Sequence, residues 1–273
     1  MGLLAIFPFA MLAEGAAKKK PRRKRKLNRN YAAADLSYGE RVDRQYIRLL
    51  DLGYAGKLPL MSMISTVEPY EDLISGICKN LNMPPEFGIG MNVLENGGGT
   101  NRRSPCCVGM MQISYFVGEK YGLIRKETVK VKGEKVQRTV DQRTNPKANI
   151  KAGFAYLDEL YREHFPDWEL AVQAYHTGWG RLSKAISAYI TSTFQKTVKW
   201  DEVCPDTIKD YKITWLKMIQ NSKALDCLLW APDETETYLP RVIACSRIYQ
   251  EREAIKARFE AERVVYRPKM SRK

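Results

Sequence analysis

Between Pro69 and Tyr249 the apolar positions of this chain recur at three- and four-residue intervals, the period of helices that each bury one face. Tyr70, Leu73, Ile74 and Ile77 form the first stripe, and Leu81-Asn-Met-Pro-Pro85 ends it with proline suited to the start of a next helix. That next helix runs through Phe87-Gly-Ile-Gly-Met-Asn-Val-Leu94 and carries Glu95 at its end. Ser114 to Tyr121 is a third helical stretch. Leu123 to Thr139 breaks the pattern, and its Val-Lys-Val, Gly133-Glu-Lys and Val-Gln-Arg-Thr-Val pieces predict a small β-hairpin at the rim of a cleft.

Ile150, Phe154, Leu157 and Tyr161 restore the helical stripe, Trp168 to Tyr175 is a nearly all-apolar helix expected at a domain centre, and Leu182, Ile186 and Tyr189 make another stripe. Residues 191–230 are less regular, with Trp200, Trp215 and Trp230, and Thr237 to Tyr249 is helical again. Strand alternation is confined to the 125–140 segment, so the core class is all-α. Glu251 to Arg263 is so highly charged that it reads as a solvated helix or fraying tail. Residues 1 to about 65 read as an arm with one short helix around Arg41 to Leu50, which places the start of compact sequence near Pro69.

Composition adds a partner class. The 273 residues carry a formal charge of +14, and the block from Lys18 to Arg29 supplies much of it. Such a block is a solvated arm or a contact for an anionic envelope surface or assembly partner. No zinc-finger spacing or paired aromatic strand motif accompanies it, so specific nucleic-acid recognition is not expected. Leu3 to Ala13 has the length of a secretory apolar region, with small residues at Ala13-Glu-Gly-Ala-Ala17, although no basic segment precedes it. Export and a retained N-terminal segment both fit. Cys78, Cys106, Cys107, Cys204, Cys227 and Cys245 contain no Cys-x-x-Cys pair, and with two histidines the ligand spacing of a structural zinc site is absent. Adjacent Cys106 and Cys107 are not expected to bond to each other easily.

The candidate chemistry lies at Glu95. It stands at the apolar lip of the polar, glycine-rich segment Glu95-Asn-Gly-Gly-Gly-Thr-Asn-Arg-Arg-Ser-Pro105, followed by Gly109-Met-Met-Gln112. A carboxyl group so placed can stay protonated near neutral pH and donate to a leaving oxygen. Glycoside cleavage usually needs a second carboxylate. Asp141 and Glu119 are the nearest in sequence, and neither has a spacing that predicts the role.

These elements resemble the lytic transglycosylases with the lysozyme-like catalytic domain. Glu95 and Ser104 keep the family's nine-residue spacing, and Gly109-Met110-Met111-Gln112 matches its Gly-Leu-Met-Gln. Asn149-Ile150-Lys-Ala-Gly153, then Ala174-Tyr175-His176-Thr177-Gly178-Trp179-Gly180, then Glu234-Thr235-Glu236-Thr237-Tyr238-Leu239 follow in family order. His176 stands where the family has Asn, Asn96 where it has Ser after the glutamate, and the stretch from Ser104 to Gly109 is one residue shorter and holds Cys106-Cys107.

The resemblance implies a goose-type lysozyme-like domain over residues 66–250, with 191–230 as a family-atypical insertion, an apolar and basic arm at 1–65 and a charged tail at 251–273. It implies peptidoglycan glycan strands as substrate, cut between N-acetylmuramic acid and N-acetylglucosamine with 1,6-anhydromuramoyl ends and without metal or cofactor. Glu95 would be the general acid/base and Ser104 would hydrogen-bond the sugar. Met111 and Gln112 would line the cleft, and Tyr175 would pack behind the site with its hydroxyl toward substrate. His176 with the turn Thr177 to Gly180 would form the cleft wall, and Tyr238 would hold Glu95. The implied location is the periplasm or cell envelope, with a virion as the alternative. The rival functions are a water-using muramidase and an assembly protein of a secretion system or phage particle that keeps the fold.

Overall fold

The computed structural model describes residues 36–132, 134–228 and 235–265. Lys18 to Arg29, the apolar start, Trp230 and Glu234 lie outside them. The described body is helical, with one small hairpin of any length.

Packing begins at Tyr38, well before Pro69. Helix α1, Tyr38–Tyr54, is opened by a capping box in which Ser37 and Glu40 satisfy each other's backbone N–H groups, and it buries Val42 and Leu49. Helix α2, Leu60–Val67, buries Leu60, Met63, Ile64 and Val67. The sequence reading missed α2 because this short helix is apolar on most sides and shows no clean polar face. Helix α3, Glu71–Leu81, ends at Asn82 in the left-handed region, φ 52°. Pro84 and Pro85 then start α4, Pro85–Asn96, which Gly97 terminates with φ 56°.

Strands β1 and β2, Cys107–Val108 and Ile113–Ser114, form a minimal antiparallel pair around Gly109 to Gln112. After α5, Tyr115–Lys120, come β3, Ile124–Val131, and β4, Glu134–Asp141, paired in register from Ile124↔Asp141 to Val131↔Glu134. This is the expected hairpin. Its root is fixed to the body by Arg143, which ion-pairs with Asp141 at 2.8 Å and donates to the Ile113 carbonyl.

Helix α6, Pro146–Glu159, is capped by Asn145 and passes into a π-helical turn at Leu160–His164. Helix α7, Trp168–Thr177, is capped by Asp167, and α8, Trp179–Phe194, follows directly after Gly178. Among its described residues the irregular 191–230 stretch contains a one-turn helix at Trp200–Glu202 and three short α-helices, α9 Pro205–Asp210, α10 Trp215–Gln220 and α11 Ser222–Leu228. They are too short to show a stripe, yet Ile208, Trp215, Met218, Ala224 and Leu228 join the core.

Helix α12, Tyr238–Gln250, crosses α4 so closely that a Cβ on Gly90 would lie 1.9 Å from the Val242 carbonyl oxygen. Helix α13, Arg252–Val265, returns to α1: Ile255 is buried and Phe259 stacks on Tyr54 with centroids 4.1 Å apart. It is therefore a helix, as one of the two sequence readings had it, but docked through Ile255 and Phe259 rather than solvated. A cavity of about 590 Å³ between α1, α2 and α13 is lined by none of the candidate site residues. No described helix is long and apolar enough to cross a membrane.

Candidate active site

Glu95 sits in the last turn of α4, where the helix stops at Gly97 and the chain turns into the glycine-rich loop. Asn96, beside it, is wholly buried and donates to the carbonyls of Met63 and Asn92. That buried asparagine anchors the helix end to α2. Gly97 is required in the turn twice over: its φ is positive, and a Cβ would lie 2.5 Å from the Arg102 guanidinium. Arg102 in turn donates to the Glu95 carbonyl at 2.9 Å and so caps the exposed carbonyls of α4.

The carboxyl group of Glu95 accepts a hydrogen bond from the Tyr238 hydroxyl at 2.7 Å, from the first residue of α12. Burial pushes the Glu95 pKa above the usual carboxylate range. The Tyr238 hydrogen bond and the positive charges of Arg102 and Arg241 oppose that shift without cancelling it. Tyr238 is buried, and its own pKa is held well above normal by burial first and by the Glu95 charge second. Its hydroxyl therefore remains a donor across the physiological range.

His176 lies face to face with the Tyr238 ring, centroids 4.1 Å apart and planes 8° from parallel. The residue that replaces the family's asparagine thus backs the tyrosine that holds Glu95. Tyr175, next along α7, donates to the Met111 carbonyl at 2.7 Å and feels the Glu95 charge. Tyr156 of α6 packs against it with centroids 5.5 Å apart.

The loop that faces this group is held by polar clamps. The side chain of Asn149, wholly buried at the start of α6, accepts from the Met111 N–H at 2.8 Å. It also donates to the carbonyls of Val108 and Arg143. Gly109 has φ 91°, and a Cβ there would meet the Arg143 carbonyl oxygen at 2.3 Å. Gln112, at φ 47°, folds its amide back onto the carbonyls of Gly109 and Arg102.

The structure thus brings Glu95, Tyr238, His176 and Tyr175 together, and corrects the expectation for Met111. Its side chain is fully buried against Gly153, where a Cβ would be 2.5 Å from the Met111 sulfur, so Met111 contributes its carbonyl and core packing rather than a cleft surface. The hydrogen bonds of Ser104 stay in its own turn: its N–H donates to the Cys107 carbonyl, and its Oγ accepts from the Cys107 N–H. Cys106 and Cys107 are joined as a vicinal disulfide, against the expectation from their adjacency. Asp141 is committed to Arg143, whose hydrogen bonds lower its pKa, and Glu119 bonds to Tyr115. Neither is hydrogen-bonded to the Glu95 group. Arg102 and the clamping role of Asn149 were not foreseen. Arg102 follows Glu95 within one loop, but nothing in the order of residues says that the loop doubles back on the helix end.

Residues 99–198 match the family model described as Transglycosylase SLT domain. The matched segment holds Ser104 to Gln112, Asn149, Tyr175 and His176, while Glu95 and Tyr238 flank it. The chain is also 30% identical over 172 residues to the membrane-bound lytic murein transglycosylase D of Escherichia coli strain K12. The protein of that name from Escherichia coli O6:H1 strain CFT073 gives the same identity over the same length. The aligned part is 62% of this chain and 35% of each relative, so the chain spans about a third of the length of these relatives. Over residues 99–198 the helical body is therefore similar to the Transglycosylase SLT domain family.

Proposed function

We propose that the protein is a lytic transglycosylase that cleaves the β-1,4 bond between N-acetylmuramic acid and N-acetylglucosamine in peptidoglycan. The observation that carries this reading is the Glu95 carboxyl group at the end of α4, whose pKa burial raises and which accepts a hydrogen bond from the Tyr238 hydroxyl at 2.7 Å.

In the first step Glu95 gives its proton to the bridging oxygen, and the bond from that oxygen to the muramoyl C1 breaks as positive charge develops on the ring. The carboxylate left behind is stabilised by the Tyr238 hydroxyl and by the positive field of Arg102 and Arg241. In the second step it takes the proton of the muramoyl C6 hydroxyl, whose oxygen bonds to C1 and closes the 1,6-anhydro ring. Glu95 ends the cycle protonated, and no water is consumed. One titrating group suffices, which fits a site where Asp141 and Glu119 are engaged elsewhere.

Ser104 and Gln112 form the loop wall facing the sugar in this reading, and Tyr175, His176 and Tyr238 form the opposite wall. Glycan strands are the substrate, and the working place is the cell envelope. The basic segment at Lys18 to Arg29 would add attraction to anionic envelope polymers.

The test is mass analysis of purified peptidoglycan digested by wild type and by Glu95→Gln. Anhydromuramoyl products from wild type alone support the reading. Hydrated reducing ends would make the protein a muramidase, and no release by wild type would favour an assembly protein that retains the fold.

A further inference from the structure

We infer that Trp179 and Trp200 form a saccharide-stacking platform that holds glycan rings beyond the reacting bond. The inference rests on the reading of the Glu95 site as a glycan cleft.

The two indoles are among the most exposed large apolar side chains of the described body, at 42% and 40%. Trp179 opens α8 three residues after His176, on the turn that continues the cleft wall. Trp200 comes from the first part of the irregular segment, in the one-turn helix Trp200–Glu202, and the rings lie 6.0 Å apart at 42°. Residues distant in sequence are therefore brought together to expose aromatic surface, where a stable fold would ordinarily cover it.

The pair is also held in place. His164 stacks flat on Trp179, centroids 4.9 Å apart and planes within 4°, and burial keeps that imidazole on the neutral side of its usual range. The edge of Trp200 passes 3.7 Å from the position a Cβ would take on Gly180. Ser187 donates to the Val198 carbonyl at 2.5 Å and ties down the segment that leads to Trp200. Rings fixed in advance lose little freedom on binding, as a recognition surface requires.

The surroundings select the ligand. Lys184 stands 5.1 Å from the Trp200 centroid, and Lys199 and Glu202 pair beside it. Two indoles in a polar frame are far too small for a stable protein interface, which needs on the order of 1,000 Å². They match a hexopyranose, whose axial C–H face stacks on an aromatic ring while its equatorial hydroxyls reach polar side chains. The N-acetyl sugars of a strand running out of the Glu95 cleft have that form.

The experiment uses the Glu95→Gln chain, so that binding is read without turnover. β-1,4-linked N-acetylglucosamine oligomers of increasing length are titrated while tryptophan fluorescence is followed, with calorimetry as the second readout. Trp179→Ala and Trp200→Ala are each expected to weaken binding of the longer oligomers about fivefold, and to leave the shortest unchanged. Trp179→Phe should retain most of the affinity, which separates stacking from loss of fold. Equal binding by parent and alanine variants would overturn the platform while leaving the cleavage reading intact, and so would an equal loss at every oligomer length. Length-dependent loss in a protein whose wild type cleaves no peptidoglycan would uphold the platform and remove the catalytic reading. No binding by the parent chain would remove both.

Discussion

The two walls around Glu95 are built by different physics. On one side α4 and α12 meet through close packing: Gly90 admits the Val242 carbonyl, Tyr238 is buried at the crossing, and His176 stacks behind it. On the other side the segment from Arg102 to Gln112 is a loop around the short strand β1, held by hydrogen bonds between the side chains of Arg102, Asn149 and Gln112 and backbone groups. The packed wall fixes where the carboxyl group sits and how strongly it holds a proton. The clamped wall fixes the shape of the loop backbone, and its polar groups are largely spent on itself. Substitutions in the first wall should therefore change chemistry as well as stability, and those in the second should change stability before chemistry.

The largest effect should come from Glu95→Gln, with cleavage lowered by about 10²- to 10⁴-fold in assays of solubilised muropeptides. The same variant should be more stable than wild type at neutral pH. A carboxyl group whose folded-state pKa is raised favours the folded state while protonated, and that benefit is lost as pH rises through the folded value. Glutamine has no such loss, so its advantage should disappear below about pH 4, where the carboxyl group is protonated in both states. Urea unfolding across pH checks both the sign and the window.

Gly90→Ala tests the packed wall directly. The added Cβ has no room beside the Val242 carbonyl, and a loss of about 3 kcal/mol in unfolding free energy is expected. Tyr238→Phe keeps the stacking on His176 and removes only the donor to Glu95. Because that hydrogen bond lowers the Glu95 pKa, its loss should move the basic limb of the pH–rate profile upward and slow cleavage about tenfold.

In the clamped wall, Asn149→Ala leaves the Met111 N–H and the Val108 and Arg143 carbonyls without their side-chain partner. A cost of about 2 kcal/mol in stability is expected, with an unshifted pH profile well below the melting temperature. A shifted profile would erase the distinction between the walls. The smallest effect should be Gln112→Gly, within about 1 kcal/mol by thermal unfolding. It gives up the side-chain bonds but relieves a left-handed backbone at φ 47°.

What the sequence revealed divides along similar lines. The helices with clean stripes, such as α6 with Ile150, Phe154 and Leu157, follow from spacing alone. The hairpin follows from its alternation. Helix α2 and the short helices α9 to α11 did not, since a turn or two of helix provides too few positions to display a period. Helix α13 looked solvated because its charges outnumber the apolar residues, Ile255 and Phe259 among them, that dock it.

Glu95 and Tyr238 were legible as a pair through the family pattern. The burial of Met111 was not, because its neighbour across the packing is the absent side chain of Gly153. The backbone clamps of Asn149 were equally hidden, as they depend on a loop returning to a helix start far along the chain.

The most direct test of the central claim is the ionisation of the Glu95 carboxyl group in the folded protein, followed by carbon NMR against pH in wild type and Tyr238→Phe. A midpoint above the ordinary glutamate value of about 4.3, rising further when the tyrosine hydroxyl is removed, is the predicted result. An ordinary midpoint, or one that falls in Tyr238→Phe, would contradict the account of Glu95 as a proton donor whose burial favours its protonated form.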